Sequence, residues 1–176
     1  YEGQSITGYY PIYQTKYNDY GSPICTVLAR SFADIGDIVR GKDLFLGNDK
    51  EKDQRKKLEK NLKTIFGNIY KELKKDRKNG EEELQKRYKK DEDKNFFKLR
   101  EDWWEENRQL VWKALTCDAH GTYFRATCGD EEKKSTLAKN NCRCKKEDGK
   151  SETDQVPTYF DYVPQYLRWF EEWAED

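Results

Sequence analysis

Five cysteines, a single histidine and a lysine-rich run are the residues of this 176-residue chain whose types and spacing could do chemistry. The cysteines are Cys25, Cys117, Cys128, Cys142 and Cys144. An odd count cannot close within one chain, so an oxidised form leaves at least one thiol without an internal partner. Cys128, Cys142 and Cys144 cluster in a segment mixing Gly, Asn, Ser and Thr. Disulfides there would staple irregular backbone, which points to an oxidising compartment. Cys117-x2-His120 with Cys142-x-Cys144 also supplies four atoms of the right type for zinc, with Cys128 spare. Structural zinc sites, however, pair two knuckles of roughly two to four intervening residues, and C-x-C makes a poor second half. Disulfides are the primary reading and a zinc-stabilised interaction module the alternative. Cys25 has two candidate partners: Cys117, which would tie two antiparallel helices together, and a thiol outside this chain. A Cys–His nucleophilic pair of Cys117 with His120 is conceivable, but the chain has no phosphate-cradling glycine loop, no nucleophile elbow and no H-E-x-x-H. Glu105-Glu106 and Glu171-Glu172 read as solvated helix faces. The chain reads as non-enzymatic, with no cofactor expected.

The lysines point to binding. Residues 50–98 hold eighteen Lys and Arg against eleven Asp and Glu, in a chain whose net charge is zero. Residues 161–176 set five acids against one Arg. A basic helical face can hold a polyanion by releasing its counterions, and heparin-like glycosaminoglycans are such partners outside cells. Lys56, Lys57, Lys60, Lys63, Lys71, Lys74 and Lys75 are the candidates. The alternative is a solvated face laced with local pairs, Glu59–Lys63 at i,i+4 and Glu72–Lys75 at i,i+3. The aromatics fall mostly at helical spacing and read as core, so nucleic acid is not expected.

Helices must position these residues. Ile24, Leu28, Phe32, Ile35 and Val39 step by four or three, predicting a helix that Pro23 opens and Gly41 closes. Leu58, Leu62, Ile65, Ile69 and Leu73 predict a second helix within about 50–78, ended by Asn79-Gly80. A third is predicted over about 96–116, with Leu99, Trp103, Leu110 and Ala114 on one side and Trp104, Val111 and Leu115 beside them. A fourth follows Pro164 and carries Leu167, Phe170 and Trp173 or Ala174. Residues 81–90 read as a short helix leading into the third. Residues 1–23 read as an irregular arm and 117–161 as a Cys-rich loop, since so long a loop in a compact domain needs a function or a restraint. No strand pattern is strong enough to predict one. The fold class is all-α: a single partial domain over 1–176, built as a bundle of long helices (24–116, then 162–176) with a disulfide-bonded loop insertion.

Composition supports a folded chain. Five Trp, twelve Tyr and eight Phe make up core volume that the sparse aliphatics leave wanting, each aromatic burying on the order of 150–250 Å². Balanced charge argues against disorder. No apolar run approaches the roughly 18–20 residues of a spanning helix, so direct membrane insertion is not expected. The chain has no Met, which predicts a fragment or processed piece whose targeting or anchoring segments lie outside it. None of its nine Asn begins an N-x-[ST] sequon, consistent with a secreted protein from a cell that rarely N-glycosylates.

Several blocks carry a family resemblance. TVLARSFADIGDIVRGKD at 26–43, followed by LFLG at 44–47, REDWWEENRQLVWKALTC at 100–117, TYFRATC at 122–128 and VPTYFDYVPQYLRWFEEWAED at 156–176 keep their order and cover most of the chain. They resemble the Duffy-binding-like alpha domain, in its central helical subdomain, of the erythrocyte membrane protein variant surface antigens of Plasmodium falciparum. YEGQS at 1–5 resembles the end of the helix preceding that region. The resemblance implies an extracellular, all-helical adhesion module exposed on infected red cells, with its membrane anchor outside this chain. It implies host-receptor partners: red-cell glycans, heparan sulfate, blood-group sugars or complement receptor, producing rosetting or cytoadherence. Antibodies and the flanking subdomains are the other implied partners. About 48–95 and 129–155 are where such domains vary antigenically. Cys117, Cys128, Cys142 and Cys144 resemble the four-cysteine version of the region. Arg30, Asp34, Asp37, Arg40, Arg100, Glu101 and Arg108 lie between stripe positions, and cross-helix pairing of some of them would make the signature blocks scaffold. The rival functional reading is therefore a structural and antigenic subdomain with no binding site of its own.

Overall fold

The computed structural model describes residues 24–45, 47–75, 83, 86–88, 95–129, 135–146, 152–153 and 155–169. The expected arm over 1–23, most of 81–90 and the helix beyond 169 lie outside the described residues; within 81–90, residues 83, 86 and 87 are helical. Three long helices dominate: α1 Ile24–Arg40, α2 Asp49–Lys75 and α3 Phe97–Leu115. A 3-10 turn over Phe160–Tyr162 precedes a short helix at 165–169. The fold is all-α.

Local chemistry fixes the helix ends. α1 stops in a Schellman motif, with Gly41 N–H on the Ile38 carbonyl and Lys42 N–H on that of Asp37, and Gly41 supplies the positive φ of 72° that this cap requires. Asn48 and Glu51 form a reciprocal capping box at the start of α2. Glu51 N–H donates to Asn48 Oδ1 at 3.0 Å, and Asn48 N–H to Glu51 Oε2 at 2.8 Å. Arg143 covers the end of α3, donating to the Lys113 carbonyl at 3.0 Å and to Thr116 Oγ1 at 3.1 Å.

The described residues fall into two units. One draws on residues up to Asp34 and from Arg108 onward; the other is Ile35–Asn107. In the first, Phe32 meets Trp112 edge to face at 5.3 Å, and the small side chains of Cys25, Ala29 and Ala33 are buried with them. The loop after α3 is held by Cys25–Cys142 and Cys128–Cys144. It contains a short antiparallel ribbon that the sequence does not announce, β1 Ala126–Cys128 against β2 Thr136–Leu137. Strands of three and two residues are too short to show alternation; the flanking disulfide supplies the restraint.

In the second unit Phe66, Tyr88 and Leu99 form the buried centre, with Leu62, Ile69, Tyr70, Leu73, Phe96 and Trp103 packed around it. This rotates the α2 stripe away from the expected one. Phe66 is the buried residue, while Leu58 and Ile65 are exposed. On α3 the expected side is also shifted: Leu110 is 62% exposed, Trp103 half-buried, and Trp104 only 1% exposed. Trp104 lies against Gly36 of α1, where a Cβ would come 2.7 Å from the indole. Large aromatics meeting glycine and alanine replace the leucine-against-leucine contact that periodicity implies.

Candidate binding surface

The seven candidate lysines share one face. At 100° per residue they lie within an arc of about 120° on α2, and Phe66, Leu62 and Leu73 occupy a different side. Lys56, Lys57, Lys60, Lys71 and Lys75 are exposed, and Lys63 and Lys74 half-buried. Lys74 lays its ammonium over the Tyr70 ring at 4.5 Å. Lys56 lies 3.6 Å from Asp53, an exposed pair that leaves its charge accessible to a polyanion. Lys52, Lys56, Lys60 and Lys63 line a groove of about 850 Å³ beside α2, with Phe45 and Leu58 in its wall. Sequence reasoning missed Lys52, which precedes Lys56 by one turn.

The expected neutralising pairs are not the ones that form. Glu59 hydrogen-bonds Arg100 through contacts of 2.7 and 2.9 Å, and Lys63 acts on it only as a nearby charge. That bidentate pair holds the Glu59 carboxyl below its ordinary range. No ion pair joins Glu72 to Lys75 among the described residues. Of the acids along α2, Glu59 is thus committed to Arg100, while Asp53 keeps its exposed pair with Lys56.

Arg40, Arg100 and Arg108 of the signature blocks point inward. Arg100, with 0% of its surface exposed, also donates to the carbonyls of Val39 and Ile38. One guanidinium thus joins the end of α1 to α2 and α3. Arg40 bonds Asp37 at 3.1 Å and Glu101 at 3.4 Å. Arg108 grips the buried Asp161 with contacts of 2.9 and 2.7 Å and the Thr158 carbonyl. Arg168 takes Asp34 at 2.9 Å. Asp102 collects Arg87, Tyr88 and Lys98 at 2.7–3.1 Å. The Arg87 hydrogen bond is the largest influence on its carboxyl and, with Lys98 and Tyr88, brings the pKa down to about 2.

The cysteines correct two expectations. Cys25 pairs with Cys142, not Cys117, and Cys117 is the exposed unbridged thiol. Trp112 Nε1 donates to the Cys142 carbonyl at 3.0 Å and so presents Cys142 to buried Cys25, while Cys117, two residues past the end of α3, faces solvent. Bridging also removes Cys142 and Cys144 as zinc ligands. With two of its four donors bridged, the zinc-stabilised reading falls. Sequence reasoning also missed an aromatic cleft whose signal is the Tyr123-Phe124-Arg125 run.

A family model described as Duffy binding domain matches residues 1–168. No curated protein matches the chain.

Proposed function

The chain belongs to the Duffy binding domain family, whose members are receptor-binding adhesion modules rather than enzymes, and from that premise we propose that it holds a polyanionic, heparan sulfate-like glycan through the lysine face of α2. The observation that carries this is the gathering of seven lysines on one arc of α2, five of them exposed, with Glu59 beneath them committed to Arg100. Ammonium groups on flexible stems suit a sulfated chain of variable spacing, because attraction arises from point charges and counterion release. Family modules of this kind are extracellular, and no described helix is long and apolar enough to cross a membrane. Display on infected red cells as a variant antigen, with rosetting or cytoadherence as the outcome, is part of the proposal. Blood-group sugars and complement receptor are rival receptors.

Heparin chromatography of the oxidised chain, and its binding to uninfected red cells across a salt series with soluble heparin as competitor, test this. Lys56, Lys57, Lys60 and Lys63 replaced together by Gln should lower the eluting salt and flatten the salt dependence of binding. Unchanged elution would remove the face from consideration. The inward use of Arg40, Arg100 and Arg108 favours a second reading, in which this segment is a scaffold and variable antigen. A helical, oxidised sample that binds neither heparin nor red cells selects it.

A further inference from the structure

A cleft of about 470 Å³ lies within the first unit, well away in sequence from the lysines of α2. Its walls are aromatic: Tyr123 sits 4.8 Å from Phe124, and Phe160 lies 6.3 Å from Phe124. Phe124 and Tyr159 stand at the surface, 49% and 51% exposed. Arg125 lines it at the surface, and the one acid of the lining, Asp34, is held by Arg168. Arg125 holds its guanidinium over the Phe124 ring at 5.0 Å. Exposed Tyr162, Tyr166 and Leu167 follow Tyr159 in sequence, so the apolar surface on this segment exceeds what one small ring would cover.

We infer that this cleft receives a large apolar side chain from a protein partner whose neighbouring residues are acidic. The volume matches an anchor pocket, and tyrosine, tryptophan and arginine are the residue types that dominate binding hot spots. The exposed Arg125 guanidinium favours carboxylates beside the anchor. A saccharide fits less well, because two of the hydroxyls that would read one, those of Tyr123 and Thr127, are used internally. Tyr123 Oη donates to Thr158 Oγ1 and Thr127 Oγ1 to the Pro157 carbonyl. Arg168 is occupied by Asp34 and the Phe160 and Val163 carbonyls.

The test is selection of a displayed random twelve-residue peptide library on the oxidised chain, followed by anisotropy titration of the enriched peptides. Enriched sequences should place Phe, Trp or Leu beside Asp or Glu, and should bind Phe124→Ala and Arg125→Glu about tenfold more weakly. Both sites are exposed, so helicity should be retained. Both variants should also elute from heparin with the parent, which separates failure here from failure of the lysine-face reading. No enrichment, enrichment without acidic residues, equal binding to the variants, or displacement by millimolar galacturonic acid would each overturn the inference, the last by assigning the cleft to acidic sugars.

Discussion

Replacing Gly36 with Ala tests whether α1 and Trp104 are in contact as closely as the structure has them. An added Cβ would lie 2.7 Å from Trp104 Cζ2 and 2.9 Å from Cε2, nearly an ångström inside the roughly 3.5–4.0 Å optimum for carbon pairs. The indole is 1% exposed and lies beneath the Arg40 guanidinium at 5.8 Å, so it has no room to yield. Overpacking a filled core costs about 1–3 kcal/mol, against which Ala gains about 0.5–1 kcal/mol over Gly in a helix interior. The midpoints leave a net loss of about 1 kcal/mol, up to about 2.5, or roughly 2–4 °C in Tm at the midpoint for a chain of this size. Gly67→Ala supplies the opposite sign. Its Cβ would meet the Phe96 ring at 3.4 and 3.6 Å, ordinary contact, so the helical gain of about 0.5–1 kcal/mol should appear undiminished. Urea unfolding followed by far-ultraviolet dichroism, with the slope checked for constancy, measures both. A Gly36→Ala protein as stable as its parent would refute the close helix contact and the core built on it.

Arg100→Ala should destabilise the protein by about 2–3 kcal/mol, below the roughly 3–5 kcal/mol of a fully buried pair because Glu59 is partly solvated, and thermal melting reads it. Asp102→Asn tests the acid side of stability. The folded carboxyl titrates at about 2 against 3.8 for its ordinary value, so its contribution is complete above about pH 4 and lost as pH falls toward 2. Acid unfolding of the Asn variant should therefore be shallower across that window, and an unchanged profile would assign acid sensitivity elsewhere. Among the disulfides, Cys25–Cys142 spans 117 residues and Cys128–Cys144 only 16. A chain-entropy account assigns about 4–5 and about 3 kcal/mol to them, so Cys142→Ala should lower Tm more than Cys144→Ala. Reduction should make both α1 near Cys25 and the loop more sensitive to protease, because Cys25–Cys142 ties the two together.

Helix existence was legible because apolar residues recur at three and four, and Gly41 carries its own end signal. The faces were less legible. Periodicity weights leucine and isoleucine, whereas α1 packs through Cys25, Ala29, Ala33 and Gly36, whose value lies in the aromatics they admit. Trp112 was overlooked for the same reason: its role depends on Phe32 and on a carbonyl thirty positions away at Cys142. Cysteine count showed that one thiol must stay unbridged, but choosing Cys117 required knowing which side of α1 is buried. The lysine face was readable because seven like charges on one helix advertise themselves, while the aromatic cleft gathers α1, the ribbon and the 3-10 turn and has no local signature beyond Tyr123-Phe124-Arg125.

The charged composition acquires a different meaning once the arginines are placed. A chain with 39% charged residues would ordinarily expose nearly all of them, yet Arg40, Arg100 and Arg168 are buried, each with carboxylate and carbonyl partners. Guanidinium serves this purpose because its planar fork satisfies several acceptors at once, which a single ammonium cannot match bidentately. Lysines are left for the surface, where a flexible point charge loses little by waiting for a ligand. The division of labour between the two cations thus separates the framework from the face proposed to bind: substitutions among the α2 lysines should alter binding while sparing the fold, and substitutions among the buried arginines should alter the fold first.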